Sequence, residues 1–281
     1  MPRAAPAARQ APPDLPTYPP AVAKERKAMI NAAVSAARAG EAPRIPPNGY
    51  MEEEHMMWRA VFHNVAAVAS EHACPEYVRA LREGAAYTKD TIPDIMELSD
   101  RLQRVAGWRI QPVIGSVSPR DFFAHLETSR MPCTMYIRPH TKYNFTEDPD
   151  CVHEMLGHIP HLFIPSWSRL YRAFGRTARR LAERGDDGAM ERLILMYFAV
   201  VEKGLVRTGP GDAVKAIGAS VISGAGELRY AVAHPERHLP LEAEAVMKYG
   251  STDEDGFMDR YFVGESVEGM ADFVISWVDQ L

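Results

Sequence analysis

A chain of 281 residues, 46% hydrophobic and 25% charged, has the makeup of a globular protein able to bury a large core. Its 37 acids against 32 bases give a net charge of −5 with no long single-sign run, which argues against a nucleic-acid footprint or a polybasic membrane patch. Cys74, Cys133 and Cys151 are scattered and form no CxxC pair, so neither a disulfide framework nor a structural zinc knot is expected, and a reducing cytoplasm is the simplest compartment.

Residues 1–22, "MPRAAPAARQAPPDLPTYPPAV", lack an apolar signal-peptide region and read as a disordered Pro/Ala-rich leader. Residues 23–44 follow as a helix from Glu25 to Ala39 and a linker, and residues 45–281 as one compact domain. "EEEHMMWRAVFHNVAAVAS" carries Trp58, Val61, Phe62, Val65 and Val68 at helical spacing, with three acids at the positive end of the dipole. "PDIMELSDRLQRVAG" repeats the stripe through Ile95, Leu98, Leu102 and Val105 and closes on Gly107. "WRIQPVIG" and "TMYIR" read as strands, and "SPRDFFAHLETS" between them as a helix capped by Ser118 with proline at its first position. "PSWSRLYRAFG" places Trp167, Leu170, Tyr171 and Phe174 on one face ahead of Gly175. "GAMERLILMYFAVVEKGLV" is an almost wholly apolar, central helix whose longest apolar run stops at Glu202, short of the roughly 18 residues of a membrane span. The fold class expected is mostly α with a few short β-strands.

"DPDCVHEMLGHIPHLF", residues 148–163, concentrates three histidines and three acids. His153 and His158 are five apart, not the four of the zinc peptidase motif HExxH. At about 100° per residue their side chains diverge by about 140° on an α-helix, so both reach one ion only if the helix stops near Gly157, ahead of Pro160. His161, beyond that proline, could cap a helix or face solvent. Glu202, after nine apolar residues, needs a cation or hydrogen-bond partner if buried, and is the candidate third ligand. Two imidazoles and a carboxylate suit non-haem Fe(II) and oxygen chemistry, but zinc accepts the same donors. The competing readings are a hydrogen-bonded core cluster, with Glu202 paired to an Arg, and a zinc-dependent hydrolase. The remaining histidines read as packing or surface residues.

"FTEDPDCVHEMLGHIPHLF", "GWRIQPVIGSVSPRDFF", "CTMYIR", "YFAVVEKGL", "KAIGASVISGAGELRYAV" and "HLPLE" together resemble, in order and spacing, the pterin-dependent aromatic amino acid hydroxylases from about residue 45 to 270. The resemblance implies a single hydroxylase-like catalytic domain using Fe(II), a tetrahydropterin and O2. It places His153, His158 and Glu202 on the iron ligands, and Phe122, Gly115, Ser116 and Val117 at the pterin. Glu154 and Tyr197 fall beside iron and pterin. It places Arg138 at the substrate carboxylate, and Thr146, Pro149, Phe198, Ser223 and Glu227 around the amino acid.

Departures bear on the substrate. Phe198 stands where phenylalanine and tyrosine members carry Trp and tryptophan members carry Phe. Ser116 replaces a larger residue, and Ala199, Lys203, Ser220 and Gly224 replace residues that are usually Phe, Phe, Gly and Ser. The implied substrate is L-phenylalanine, hydroxylated at the para carbon, or at the meta carbon given the altered pocket; L-tryptophan is the alternative. A stand-alone monomeric catalytic domain is expected, with no nucleic-acid or membrane partner and only an indirect dependence on pterin-recycling enzymes.

Overall fold

The computed structural model describes residues 49–113, 115, 117–138, 149–209, 213–251 and 257–281, with scattered positions between 24 and 39. The leader lies outside these residues, as do Ser116, Thr146 and most of the expected helix Glu25–Ala39, whose described positions from 24 to 36 are helical.

Helix α1 (Glu52–His72) opens with its three acids, and Glu54 accepts the backbone N–H of Met51 at 2.7 Å. Trp58, Val61, Val65 and Val68 are buried as their spacing requires, and Phe62 is half-buried. The chain continues through α2 (Pro75–Arg79), a π-helical turn over Ala80–Ala85, and α3 (Ile95–Ala106), which Asp94 caps through the N–H groups of Met96 and Glu97. Gly107 ends α3 at φ 70°. Ile95, Leu98 and Leu102 face inward, but Val105 does not: it is 67% exposed, because the inward stripe continues from Leu102 to the half-buried Ala106 and leaves Val105 at its edge.

Strands β1 (Arg109–Val113) and β2 (Arg130–Thr134) pair in parallel, joined by helix α4 (Pro119–Glu127), with Ser118 at the cap and Pro119 at the first position. The second strand is therefore "RMPCT", not the expected "TMYIR". Past Thr134 the chain leaves the ladder so that Arg138 can reach Asp150.

After α5 (Cys151–His153), a π-helical turn (Glu154–His158) and α6 (Ile159–Leu162), the long helix α7 (Pro165–Arg184) crosses the core. Trp167, Leu170, Tyr171 and Phe174 on its inner face are fully buried, each contributing on the order of 2 kcal/mol of apolar burial. The helix does not end at Gly175. There it passes so close to α4 that a Cβ would stand 2.2 Å from the backbone nitrogen of Glu127.

Helix α8 (Asp187–Tyr197) runs directly into a third π turn (Phe198–Glu202). A four-stranded sheet, ordered β4-β3-β6-β5, follows from β3 (Leu205–Thr208), β4 (Ala213–Ala216), β5 (His238–Pro240) and β6 (Tyr261–Gly264). Short helices α9 (Ala219–Ser223) and α10 (Ala225–Ala233) lie between β4 and β5. Helix α11 (Ala243–Tyr249) precedes β6, and α12 (Val267–Val278) closes the chain against α7, where Trp167 donates to the Val267 carbonyl at 3.2 Å. The mostly helical expectation holds, and among the described residues no helix is long and apolar enough to cross a membrane.

Replacing Gly175 by Ala tests the α4–α7 approach. The backbone must give way, so a loss of about 3 kcal/mol is expected in urea unfolding; a loss below about 0.5 kcal/mol would show that the two helices separate freely.

Candidate metal centre and active site

The histidine spacing that an α-helix cannot accommodate is accommodated by a π-helix. The turn Glu154–His158 closes with Ile159 N–H donating to the Glu154 carbonyl, five residues back. This longer turn brings residues five apart toward one face. The chain therefore does not stop at Gly157, as an α-helical reading requires; it widens there. Gly157 is needed for a different reason: a Cβ would meet the Ala219 carbonyl oxygen of α9 at 2.9 Å. Pro160, which lacks an N–H, falls where the ladder returns to α-helical register in α6, so it does not interrupt the chain direction.

Glu202 arrives by the same device. In the turn Phe198–Glu202, Lys203 N–H donates to the Phe198 carbonyl at 3.0 Å, again five residues back. The Glu202 carboxylate then faces both imidazoles: Oε1 lies 3.2 Å from His158 Nε2 and Oε2 lies 3.8 Å from His153 Nε2. The two Nε2 atoms are 3.0 Å apart, and one donor atom from each residue falls within 4.8 Å of the others.

The outer ring nitrogens are already engaged. His153 Nδ1 lies 3.1 Å from Ser223 Oγ, and His158 Nδ1 lies 2.8 Å from the Tyr171 hydroxyl. Both Nε2 atoms are thereby directed inward, the arrangement by which outer partners orient metal-binding imidazoles. Burial, and then His158, push the His153 pKa down to about 4, so its ring is neutral and offers a lone pair. Burial would raise Glu202, but His158 outweighs it and holds the carboxyl at about 2, leaving an anion. Among the described residues Glu202 Oε2 has no hydrogen-bond partner although it is buried. Burial would lower His158, but Glu202 outweighs it and raises its pKa, so without an ion His158 favours the imidazolium paired to the carboxylate. A divalent cation would displace that proton, and two imidazoles with a buried carboxylate fit one.

His161 is neither a cap nor exposed. It is fully buried, 4.6 Å between ring centroids from Trp167, with Nδ1 3.0 Å from the same Tyr171 hydroxyl. Burial holds its pKa near 3, and it stands outside the three-residue cluster. One tyrosine thus serves a cluster residue and a packing histidine.

Around this centre, Phe122 is half-buried with its ring 5.5 Å from that of Tyr197 and 6.4 Å from that of His158. Glu154 is buried with Oε2 unpartnered among the described residues, and burial with the nearby Glu202 and Asp150 charges raises it to about 8. Gly115 and Val117 lie half-buried on the loop after β1. Pro149 is half-buried and its carbonyl accepts from Tyr136 OH at 2.7 Å; Phe198 is half-buried in the third π turn. Glu227 is buried and gives both carboxylate oxygens to Lys203.

Arg138 is buried in a bidentate pair with Asp150, Nε to Oδ2 at 2.9 Å and Nη2 to Oδ1 at 2.7 Å. That edge of the guanidinium is taken, which leaves the Nη1/Nη2 edge for any further partner. Asp150 also accepts the Arg138 and His153 backbone N–H groups, at 2.7 and 3.1 Å, which caps the helix leading into the histidine turn. Sequence reasoning missed Asp150, Tyr171 and the Lys203 partnership. Asp150 alone carried a readable signal, an acid three residues before the first histidine of a helix.

The family described as biopterin-dependent aromatic amino acid hydroxylase matches residues 7–281. Phenylalanine-4-hydroxylase of Homo sapiens is 37% identical over 228 residues, covering 79% of this chain and 48% of that protein. The chloroplastic phenylalanine 4-monooxygenase of Chlamydomonas reinhardtii is 34% identical over 261 residues, covering 92% of this chain and 69% of its own. A crystal structure of Chromobacterium violaceum phenylalanine hydroxylase with bound iron(III) and 7,8-dihydrobiopterin superposes with a TM-score of 0.75 at 25% identity, over 88% of this chain and 90% of that one. The chain spans about half the length of the human relative. It belongs to the biopterin-dependent aromatic amino acid hydroxylase family.

The Asp150 carboxylate should be structurally indispensable. Asp150→Ala leaves Arg138 as a buried unpaired charge and is expected to cost about 3–5 kcal/mol in chemical denaturation; a cost under about 1 kcal/mol would mean that water replaces the partner.

Proposed function

We propose that this family member is an Fe(II)- and tetrahydropterin-dependent monooxygenase that hydroxylates the ring of an aromatic amino acid, L-phenylalanine foremost. The single observation that carries the reading is the convergence of His153 Nε2, His158 Nε2 and the Glu202 carboxylate, with the outer nitrogens tied back to Ser223 and Tyr171. Bound there, iron and pterin supply the activation of O2.

The chain's residues bind and orient. His153, His158 and Glu202 would hold the iron, leaving the remaining coordination positions open. Phe122 offers a ring face to the pterin, with Gly115, Ser116 and Val117 as its loop. Glu154, raised to about 8, is protonated over much of the neutral range and can donate a hydrogen bond to a pterin heteroatom, with Tyr197 beside it. Arg138 would take the amino acid carboxylate on the edge that Asp150 leaves, and Thr146, Pro149, Phe198, Ser223 and Glu227 would wall the substrate. The dense aromatic packing of Phe122, Phe123, Phe174 and Tyr197 keeps water from one side of the centre. Family membership sets aside the hydrolase reading. We also place the chain in the cytoplasm as a monomer, its oxidised pterin returned by separate recycling enzymes.

Tryptophan is the second reading, favoured by Phe198, a smaller ring than the Trp of the phenylalanine and tyrosine members. Anaerobic loading with Fe(II), then O2 and tetrahydropterin with Phe, Tyr and Trp in parallel, tests both. Hydroxyphenylalanine should dominate, its regioisomer reporting how the ring sits against the oxidant, since displacements near 1 Å redirect a positioned reaction. Oxygen uptake with no hydroxylated amino acid from any of the three would sink the substrate assignment. Glu202→Ala should abolish stoichiometric iron binding, and retention of one iron per chain would remove Glu202 from the ligand set.

A further inference from the structure

Beside the metal cluster lies a second buried charged group that the proposed chemistry does not use. Lys203, the residue after Glu202, is 2% exposed, and its ammonium donates to both Glu227 oxygens, at 3.0 and 2.8 Å. Tyr261 of β6, fully buried, donates its hydroxyl to the same carboxylate at 3.1 Å and accepts the Met258 backbone N–H at 3.2 Å. The ammonium is thus anchored to α10 and, through Tyr261, to the sheet.

The backbone at this point is pinned as well. Lys203 N–H closes the π turn on the Phe198 carbonyl, and Gly204 N–H donates to the Val200 carbonyl, both at 3.0 Å. The Gly204 carbonyl accepts from Ile217 and Gly218 at 3.1 and 2.9 Å, immediately ahead of α9. Helix α9 ends at Ser223, whose hydroxyl meets His153 Nδ1. Glu227, one turn into α10, therefore ties the segment that orients His153 to the residue that follows Glu202.

A buried ion pair is a poor device for stability alone, because an apolar pair of similar volume does as well or better. It does fix geometry, since three donor–acceptor distances must be met at once. We propose that Lys203 is a positioning residue, whose ion pair with Glu227 and Tyr261 sets the direction in which the Glu202 carboxylate faces the two imidazoles. Held at its amide and at its ammonium, Lys203 cannot rotate, and the Glu202 side chain one residue earlier keeps its aim. The inference rests on the metal reading of the cluster above.

Titration of the full chain with Co(II), followed by its visible absorption, separates the possibilities without recourse to turnover. Lys203→Met should raise the Co(II) dissociation constant about tenfold and alter the absorption band, as loss of an outer positioning contact does. Lys203→Arg, which keeps a charged donor, should restore both toward wild type. Lys203→Met/Glu227→Met removes both buried charges, so it should regain thermal stability lost by the single variant while keeping the weakened affinity; it also serves where the single variant does not fold. Wild-type affinity and spectrum in a folded Lys203→Met, or in the double variant, would overturn the proposal and reduce the ion pair to packing. Absence of stoichiometric Co(II) binding by the wild-type chain would instead overturn the metal reading, and with it this inference.

Discussion

The constraint on which the site depends is the five-residue hydrogen-bond step, used twice. One π turn carries His153 and His158, and the other ends at Glu202. The first widens the chain between two helices and the second forms the last turn of α8 before β3, so the donors are presented from packed helical backbone and not from loops. Widening costs hydrogen-bond quality, and the surroundings over-determine both turns. The carbonyl of Ala219 fits against the bare Cα of Gly157, and the Gly204 carbonyl receives two N–H groups from the strand end before α9. The segment from Ile217 to Ala219, which leads into α9, is therefore the shared backstop of both turns.

Around this frame, polar groups are buried in pairs that leave few strays. Asp150 satisfies Arg138 and two backbone amides, Tyr171 serves two histidines, and Glu227 serves Lys203 and Tyr261. Such networks are expensive if half-satisfied and rigid if complete. Among the described residues, the buried side-chain atoms without a hydrogen-bond partner include four near the cluster: Glu154 Oε2, Glu202 Oε2, His161 Nε2 and the Tyr197 hydroxyl. The Glu202 oxygen lies 3.8 Å from His153 Nε2, where the protein's own hydrogen bonding leaves room for a ligand's.

Much of the fold was legible because helices with one buried stripe announce themselves. Trp58 through Val68, Ile95 through Leu102, and Trp167 through Phe174 fell inside as their spacing demanded. What failed was local. Val105 kept the period but stands at the edge of a stripe that continues through Ala106, and the second strand was placed four residues late because "MYIR" has strand composition but lies beyond the ladder, where Arg138 pairs with Asp150. At the site, the donors could be named but not their geometry, since a π turn and an α-helix broken at Gly157 both explain a spacing of five. His161 was misplaced for the same reason: with the helix thought to stop, nothing indicated that it would turn inward onto Tyr171. Lys203 could not be paired in advance, because Glu227 is 24 residues away and the contact exists only once α10 has folded back on the π turn.

The donor set also bears on which ion it suits. With both imidazoles neutral, as ligation requires, two imidazoles and one carboxylate carry a single negative charge, so a bound divalent ion would keep a residual positive charge in a buried surround. That residual charge favours anionic or strongly polarised ligands at the open positions. A structural zinc site would more usually be closed by a fourth protein ligand, and His161 is the obvious candidate by sequence. The fold instead commits His161 Nδ1 to Tyr171 and packs its ring on Trp167. Among the described residues His161 therefore stays outside the group of three donors, and no fourth side chain closes it.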